Sequence, residues 1–166
     1  MDVYLVRHAI AYERSRARWP QDALRSLTPA GKQKFRKAAR GLARLVPKSA
    51  QVFTSPFVRA RDTASILTGA METRGAKECA ELAAGQPARK VFEFLRTLKS
   101  RAVVLVGHEP NLSTLLAAAV VGERVRLKIR FRKGGAACLA FSGSVQPGQA
   151  TLKWLMPPRA LRALKR

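Results

Sequence analysis

Short apolar runs alternate along this chain with longer segments in which apolar residues return every third or fourth position. Val3 to Val6, Gln51 to Thr54 and Ala102 to Val106 are rich in Val, Leu, Tyr and Phe, too short for helices and bounded by turn signals. They read as buried strands of a parallel sheet. Leu27-Thr28-Pro29 predicts a helix start, with Thr28 as N-cap and Pro29 at the first helical position. Phe35, Ala38, Ala39, Leu42 and Leu45 then recur at helical spacing, and Lys32, Arg36, Lys37, Arg40 and Arg44 cover the other faces until Pro47 and Lys48 end the helix. Ser55-Pro56 opens a second helix, running through Met71 with Ala60, Ala64 and Leu67 inward. Pro87 to Leu98 is a third, and Pro110 to Val121, apolar nearly all round, is a deeply packed fourth. The polar, Arg-rich stretch from Tyr12 to Ser26 reads as a loop. Such alternation implies a three-layer α/β/α architecture, a mostly parallel sheet with helices on both faces.

Past Val121 the period changes. Arg124, Arg126, Lys128, Arg130 and Arg132 alternate strictly with Val125, Leu127, Ile129 and Phe131, which predicts an amphipathic strand. Gly134-Gly135 then turns into Ala136 to Phe141, and Pro147-Gly148 precedes Ala150 to Met156, so an antiparallel extension of the sheet is expected. The five cations of the alternating segment are either a solvated edge that resists aggregation or a docking face for an acidic surface or phosphate chain.

A length of 166 residues suits one core, so a single domain over 1–166 is expected. Cys79 and Cys138 lack metal-type spacing, and no disulfide is expected between them. Asp2, Arg7 and His8 interrupt any signal-peptide core, and the longest apolar run, Leu115 to Val121, is far too short to span a bilayer. The expectation is a soluble, cytoplasmic protein with no membrane partner. Its 32 Lys and Arg against 10 Asp and Glu leave a net charge of +22. That excess reflects either a proteome that prefers Arg or an acidic partner, and it bears on association rather than fold.

The only two histidines, His8 and His108, close the runs Val-Tyr-Leu-Val-Arg-His and Val-Val-Leu-Val-Gly-His. The functional crevice of an open α/β sheet lies outside the carboxyl ends of its strands, so the two imidazoles are expected to face each other there. Arg7 ends the first strand and Arg59 lies in the first turn of the second helix, at the same sheet edge. Arginine forks hold phosphate oxygens bidentately, helix N-termini add N–H donors, and a neutral histidine attacks phosphorus. The arginines also disfavour imidazolium. With no metal-ligand cluster beside it, this set suits phosphoryl transfer through a phosphohistidine intermediate. Competing chemistries lack their residues: there is no Cys-x5-Arg loop, no P-loop, and none of Asp2, Asp22 and Asp62 ends a strand as an aspartyl nucleophile would.

Four motifs carry a resemblance. Val-Arg-His-Ala stands where a family Arg-His-Gly would, and Leu27-Thr28-Pro29-Ala30-Gly31 matches Leu-Thr-x-x-Gly. Ser55 to Ala64 matches Ser-Pro-x-x-Arg-Ala-x-x-Thr-Ala, and Gly107-His108-Glu109-Pro110 matches a second histidine motif. In these residues the chain resembles the histidine phosphatase superfamily, phosphoglycerate mutase-like in fold, and within it the small SixA-type phosphohistidine phosphatases. The tail Trp154-Leu155-Met156-Pro157-Pro158 is similar to the SixA-type ending. The resemblance implies His8 as the nucleophile that becomes phosphorylated. Arg7, Arg59 and His108 would then hold the phosphoryl oxygens, with no metal or other cofactor. Arg61 occupies a variable motif position and is expected to be a surface cation. Ala9 replaces the motif's usual Gly, which brings the local loop geometry into question. For a proton donor the candidates are Glu109, beside His108, and Glu81. A place at a helix N-terminus would stabilise the Glu109 carboxylate against an acid role, and SixA-type enzymes show no obvious donor.

The chain has little beyond sheet and helices to wall in a small molecule, and only the loop from Tyr12 to Ser26, with Trp19, serves as a candidate lid. An open pocket suits a phosphohistidine displayed on a protein such as a phosphotransfer domain, often acidic. The alternatives are a broad small-molecule phosphomonoesterase and, in another class, a basic polyanion-binding module. Nucleic acid is not expected as the main partner, because no stacking motif or nucleic-acid fold signature is present.

Overall fold

The structure is a computed structural model that describes residues 1–125 and 127–164. Six strands, β1 (Asp2–Arg7), β2 (Gln51–Thr54), β3 (Lys77–Glu78), β4 (Ala102–Gly107), β5 (Ala136–Phe141) and β6 (Ala150–Met156), form one sheet in the order β3-β2-β4-β1-β5-β6. The first four in that order are mutually parallel. Strand β5 runs antiparallel to β1, and β6 antiparallel to β5, as the expected extension requires. The apolar runs with no polar alternation occupy the centre: Val3, Leu5 and Val6 of β1 and Val103 to Val106 of β4 are wholly buried.

Successive side chains of a strand point to opposite faces, and each face has its own helices. Tyr4, Val6 and Val104 meet α1 (Pro29–Leu42), α2 (Val58–Met71) and α5 (Pro158–Ala163) through Phe35, Leu42, Ala64, Leu67 and Leu161. Val3, Leu5, Val103 and Leu105 meet α3 (Ala88–Thr97) and α4 (Asn111–Val121) through Val91, Phe92, Leu95, Leu112 and Leu116. The α/β/α layering follows. Among the described residues no helix is long and apolar enough to cross a membrane. Cys79 and Cys138 are buried and unpaired.

Helix α1 begins as its motif predicts: the Thr28 hydroxyl accepts from the Gly31 N–H at 2.9 Å, with Pro29 at the first position. Gly31 is needed for another reason, since a Cβ there would run into the carbonyl of Ile10. The glycine lets α1 dock directly on the segment leaving β1, where Thr28 N–H donates to Ile10 O at 3.1 Å. The helix stops at Leu42, ahead of Pro47, and turns carry the chain on to the buried Val46.

The strand expected over Arg124 to Arg132 does not form. Residues 124, 125 and 127–132 lie in no helix or strand, and Arg126 falls outside the described residues. The place beside β1 is taken by β5, and β6 occupies the far side of β5. Nor is the alternation one of burial: Val125 and Leu127 are exposed, while Phe131 inserts into the core. Period two marks an extended chain, but only a partner strand makes it a sheet. Four short elements had no readable signal: β3, α5, and the turns of 3-10 helix at Asp22–Leu24 and Ala80–Leu82.

Candidate active site

In the parallel register of β1 and β4, Arg7 lies opposite Gly107. The next residue on each strand is therefore a histidine, and the His8 and His108 rings stand side by side, their centroids 5.2 Å apart. Both are buried. The N–H of His8 donates to the Gly107 carbonyl at 3.0 Å, which continues the ladder one step past the strand. Helix α2, starting just beyond β2, delivers Arg59 to the same edge with only 2% of its surface exposed. Arg7, His8, Arg59 and His108 line one cavity of about 330 Å³, shared with Arg14, Arg25 and Lys133.

His8 Nδ1 is 2.7 Å from the carbonyl of Ala9. A carbonyl can only accept, so the ring proton sits on Nδ1 and the lone pair on Nε2. Burial, the largest influence, pushes the His8 pKa from about 6.5 down to about 3. The hydrogen bond to Ala9 opposes that fall, and the charges on His108, Arg59 and Arg7 deepen it. His108 also falls to about 3, through burial and then the charge of Arg59, with Asp22 opposing. Ser55 Oγ accepts from the Phe57 N–H at 3.3 Å and lies 2.8 Å from His108 Nε2. With the Ser55 hydroxyl hydrogen donated to Nε2, neutral His108 carries its proton on Nδ1.

That Nδ1 has no protein partner although it is buried, and the same holds for Nε of Arg7 and Nε of Arg59. Buried N–H groups are nearly always paired, so three unpaired donors around one cavity fit an anion rich in acceptor oxygens. Some of the remaining donors of these arginines hold structure. Arg7 Nη1 donates to Phe131 O at 2.6 Å. Arg59 Nη1 donates to the Asp22 carbonyl at 2.8 Å and Nη2 to Asp22 Oδ2 at 2.9 Å. Asp22 Oδ1 in turn accepts from Nε of the buried Arg25 at 2.8 Å, and Arg25 Nη1 reaches Tyr12 O at 2.7 Å. Burial alone would raise the Asp22 pKa, but the Arg25 hydrogen bond and the charges of Arg59, Arg25 and Arg14 hold it below the usual carboxylate range.

The sequence profile of the histidine phosphatase superfamily (branch 1) matches residues 3–93, which include Arg7, His8 and Arg59. The chain belongs to the histidine phosphatase superfamily. An uncharacterized protein of Picosynechococcus sp. is 31% identical over 95% of this chain and 100% of its own length. Among solved structures, the protein histidine phosphatase SixA complexed with tungstate matches with a TM-score of 0.81 and 25% identity, over 97% of this chain and 99% of its own. SixA of Agrobacterium tumefaciens matches with a TM-score of 0.76 and 24% identity, over 95% and 97%. The fold is shared as well by an Entamoeba histolytica phosphoserine phosphatase in complex with phosphoserine, at a TM-score of 0.61 and 13% identity over 95% and 98%. The SixA-type likeness therefore extends over nearly the whole chain, and phosphate hydrolysis is the activity that superfamily membership supports.

The superfamily motifs now have physical reasons. Ala9 is acceptable in place of Gly because its backbone needs no left-handed conformation; among the described residues other than glycine, only Glu72 has a positive φ. Ala9 N–H donates to Thr63 Oγ1 at 3.0 Å, and the Thr63 hydroxyl donates to the Arg59 carbonyl at 2.7 Å, so the motif threonine ties the loop after β1 to α2. Arg61 is an exposed cation paired with Glu78 at 3.1 Å, as expected. Glu109 lines the cavity, but its Oε1 accepts from the Ser113 N–H at 3.0 Å. Glu81 is not brought to the cavity and accepts from Cys79 Sγ at 3.1 Å. Losing a true general acid costs about 10²–10⁴ in rate. Glu81→Gln should therefore leave kcat unchanged, and Glu109→Gln should stay within about threefold of wild type. A fall of a hundredfold in steady-state assays of Glu109→Gln would make Glu109 a donor.

Asp22, Arg25 and Lys133 were not singled out from the sequence. One of three aspartates within an Arg-rich loop was the only available signal for Asp22, and Arg25 is one of 32 basic residues. The paired histidines also set acid stability. Below pH 6.5 the unfolded chain binds two protons that the folded chain refuses until about pH 3, so stability is present above 6.5 and lost as pH falls. The expected slope is about 2.7 kcal/mol per pH unit, two protons' worth. Urea midpoints at pH 6 and 5 measure it, and His108→Gln should halve the slope. An unchanged slope in that variant would remove His108 from the account.

Proposed function

We infer that this protein removes the phosphoryl group from a phosphohistidine displayed on an acidic cytoplasmic protein, such as a phosphotransfer domain. The observation that carries the reading is His8, whose Nδ1–H is pinned to Ala9 so that a neutral Nε2 faces a cavity with three unpaired buried donors. The Nε2 lone pair forms the new P–N bond while the substrate's P–N bond breaks, and the leaving imidazole takes a proton from water. Water then attacks phosphorus on His8, releasing inorganic phosphate and restoring the ring. Arg7, Arg59 and His108 hold the phosphoryl oxygens and stabilise the charge that develops on them. No cofactor enters these steps.

Two features favour phosphohistidine over an ester. Among the described residues the cavity carboxyls are Glu13, on the exposed loop, and Glu109, engaged by the α4 backbone; an imidazole leaving group needs less acid assistance than an alkoxide. The net charge of +22 would also draw in an acidic protein through long-range attraction that salt screens. The SixA relatives named above point the same way.

The test is wild-type kcat/KM on a phosphohistidine protein and on p-nitrophenyl phosphate at low and high ionic strength. We expect preference for the protein and about a tenfold loss of that rate alone between low and high salt. Preference for the ester would make the protein a broad small-molecule phosphomonoesterase. Salt-dependent polyanion binding that survives His8→Ala, without turnover by the wild type, would make it a binding module.

A further inference from the structure

The loop between β1 and α1 is a built element. Arg18 lies 4.2 Å over the Tyr12 ring and 5.5 Å from the Trp19 ring, and the two rings are 5.9 Å apart. Trp19 N–H donates to Ser15 O at 2.7 Å, Arg18 N–H donates to Ser15 Oγ at 3.2 Å, and Asp22 fastens the loop to Arg25 and Arg59. Folded this way, it holds a second cavity of about 450 Å³, lined by Arg14, Ser15, Arg16, Trp19, Pro20 and Asp22. Arg14 lines both this cavity and the phosphate-type cavity, so the two adjoin.

The lining has a definite chemistry. Trp19 Nε1 is buried without a partner, so an indole N–H here awaits an acceptor. Arg16 pairs with no carboxylate among the described residues. The one carboxylate in the wall, Asp22, is already answered by Arg14, Arg25 and Arg59. The unpaired Arg16 guanidinium and a free N–H donor match a carboxylate. We propose that this loop cavity is a specificity subsite, in which Arg16 and Trp19 bind an acidic side chain flanking the phosphohistidine that occupies the neighbouring cavity. The proposal rests on the phosphohistidine reading above. It gives the excess positive charge a local role, since the acidic partner is then read at one position as well as attracted at long range.

Two phosphohistidine peptides, identical except for glutamate or glutamine beside the phosphorylated residue, test it. In wild type the glutamate peptide should have a KM about fivefold lower, in the range of one exposed charge pair with a charge-assisted hydrogen bond. Arg16→Ala and Trp19→Phe, the second keeping a ring while deleting only the N–H, should together bring that ratio to one. Turnover of p-nitrophenyl phosphate and kcat on both peptides should be unchanged. A ratio of one in wild type, or one that persists in the double variant, overturns the subsite. An equal loss on all substrates assigns the loop a merely structural role and overturns it too. If wild type hydrolyses p-nitrophenyl phosphate but neither peptide, the phosphohistidine reading fails by itself. The subsite is then decided by the KM ratio of 4-carboxyphenyl phosphate to phenyl phosphate in the same variants.

Discussion

His8→Ala should abolish turnover, on the order of a 10⁴-fold loss or more, and with it every trace of a phosphorylated enzyme. The loss should be this large because no other described residue at the edge of the sheet can replace the attacking nitrogen. Cys79 and Cys138 are buried and burial pushes their thiols up, to about 12 and about 11. His108 has Nε2 committed to Ser55. Rapid acid-free quenching of wild type with labelled substrate should trap label on His8, and His8→Ala should trap none. Retention of a tenth of the wild-type rate would remove His8 as nucleophile. The pH profile checks the same group independently. A histidine of ordinary pKa near 6.5 would have about thirtyfold less neutral form at pH 5 than at full deprotonation. With His8 held at about 3, kcat/KM on a stable ester should show no such decline from nucleophile protonation between pH 7 and 5, read at temperatures where the enzyme stays folded. An inflection near 6.5 that depends on His8 would show that the buried ring is more hydrated than its surroundings imply.

What could be read in the sequence, and what could not, divides by the distance over which the deciding physics acts. Strands β1, β2 and β4 were legible because a central parallel strand is buried on both faces and must be apolar throughout. The start of α1 was legible because Thr28 and Pro29 act within one turn. The histidine pair followed from the same local signals, since each ends its strand and β1 and β4 are neighbours in register. Phe131 and its neighbours show the limit: alternation was real, but whether it becomes a strand depends on which strand is free to pair, and that is settled by β5 and β6. Asp22 shows the limit at the site, because its importance comes from Arg59, brought to it by the approach of a loop and a helix remote in sequence. A residue whose role is to brace another has no local pattern of its own.

Arg59→Ala should be the second most damaging change, lowering kcat/KM about 10²–10³-fold, the usual cost of deleting one preorganised donor to a developing oxyanion. The geometry explains why the fork is held from behind. Asp22 takes one hydrogen of Nη1 and one of Nη2, which fixes the plane of the guanidinium and leaves the unpaired Nε among the donors remaining for the cavity. Removing Arg59 therefore deletes a positive charge beside the phosphoryl group and also leaves the Asp22 carboxylate with one cation fewer, at the edge of a site that must accept an anion. Arg59→Lys should recover no more than about tenfold, because an ammonium is a point charge that cannot span Asp22 and keep a second donor aimed elsewhere. Asp22→Asn keeps the shape but weakens the brace. Its loss should be smaller, about tenfold, and should appear equally in the inhibition constant for tungstate, a tetrahedral oxyanion, if the fork is misaimed before chemistry begins. Steady-state rates and tungstate inhibition in the three variants are sufficient. If Arg59→Ala stays within tenfold of wild type, Arg59 is a structural cation serving the loop; if Asp22→Asn binds tungstate more tightly, Asp22 competes with the substrate anion and does not brace its receptor.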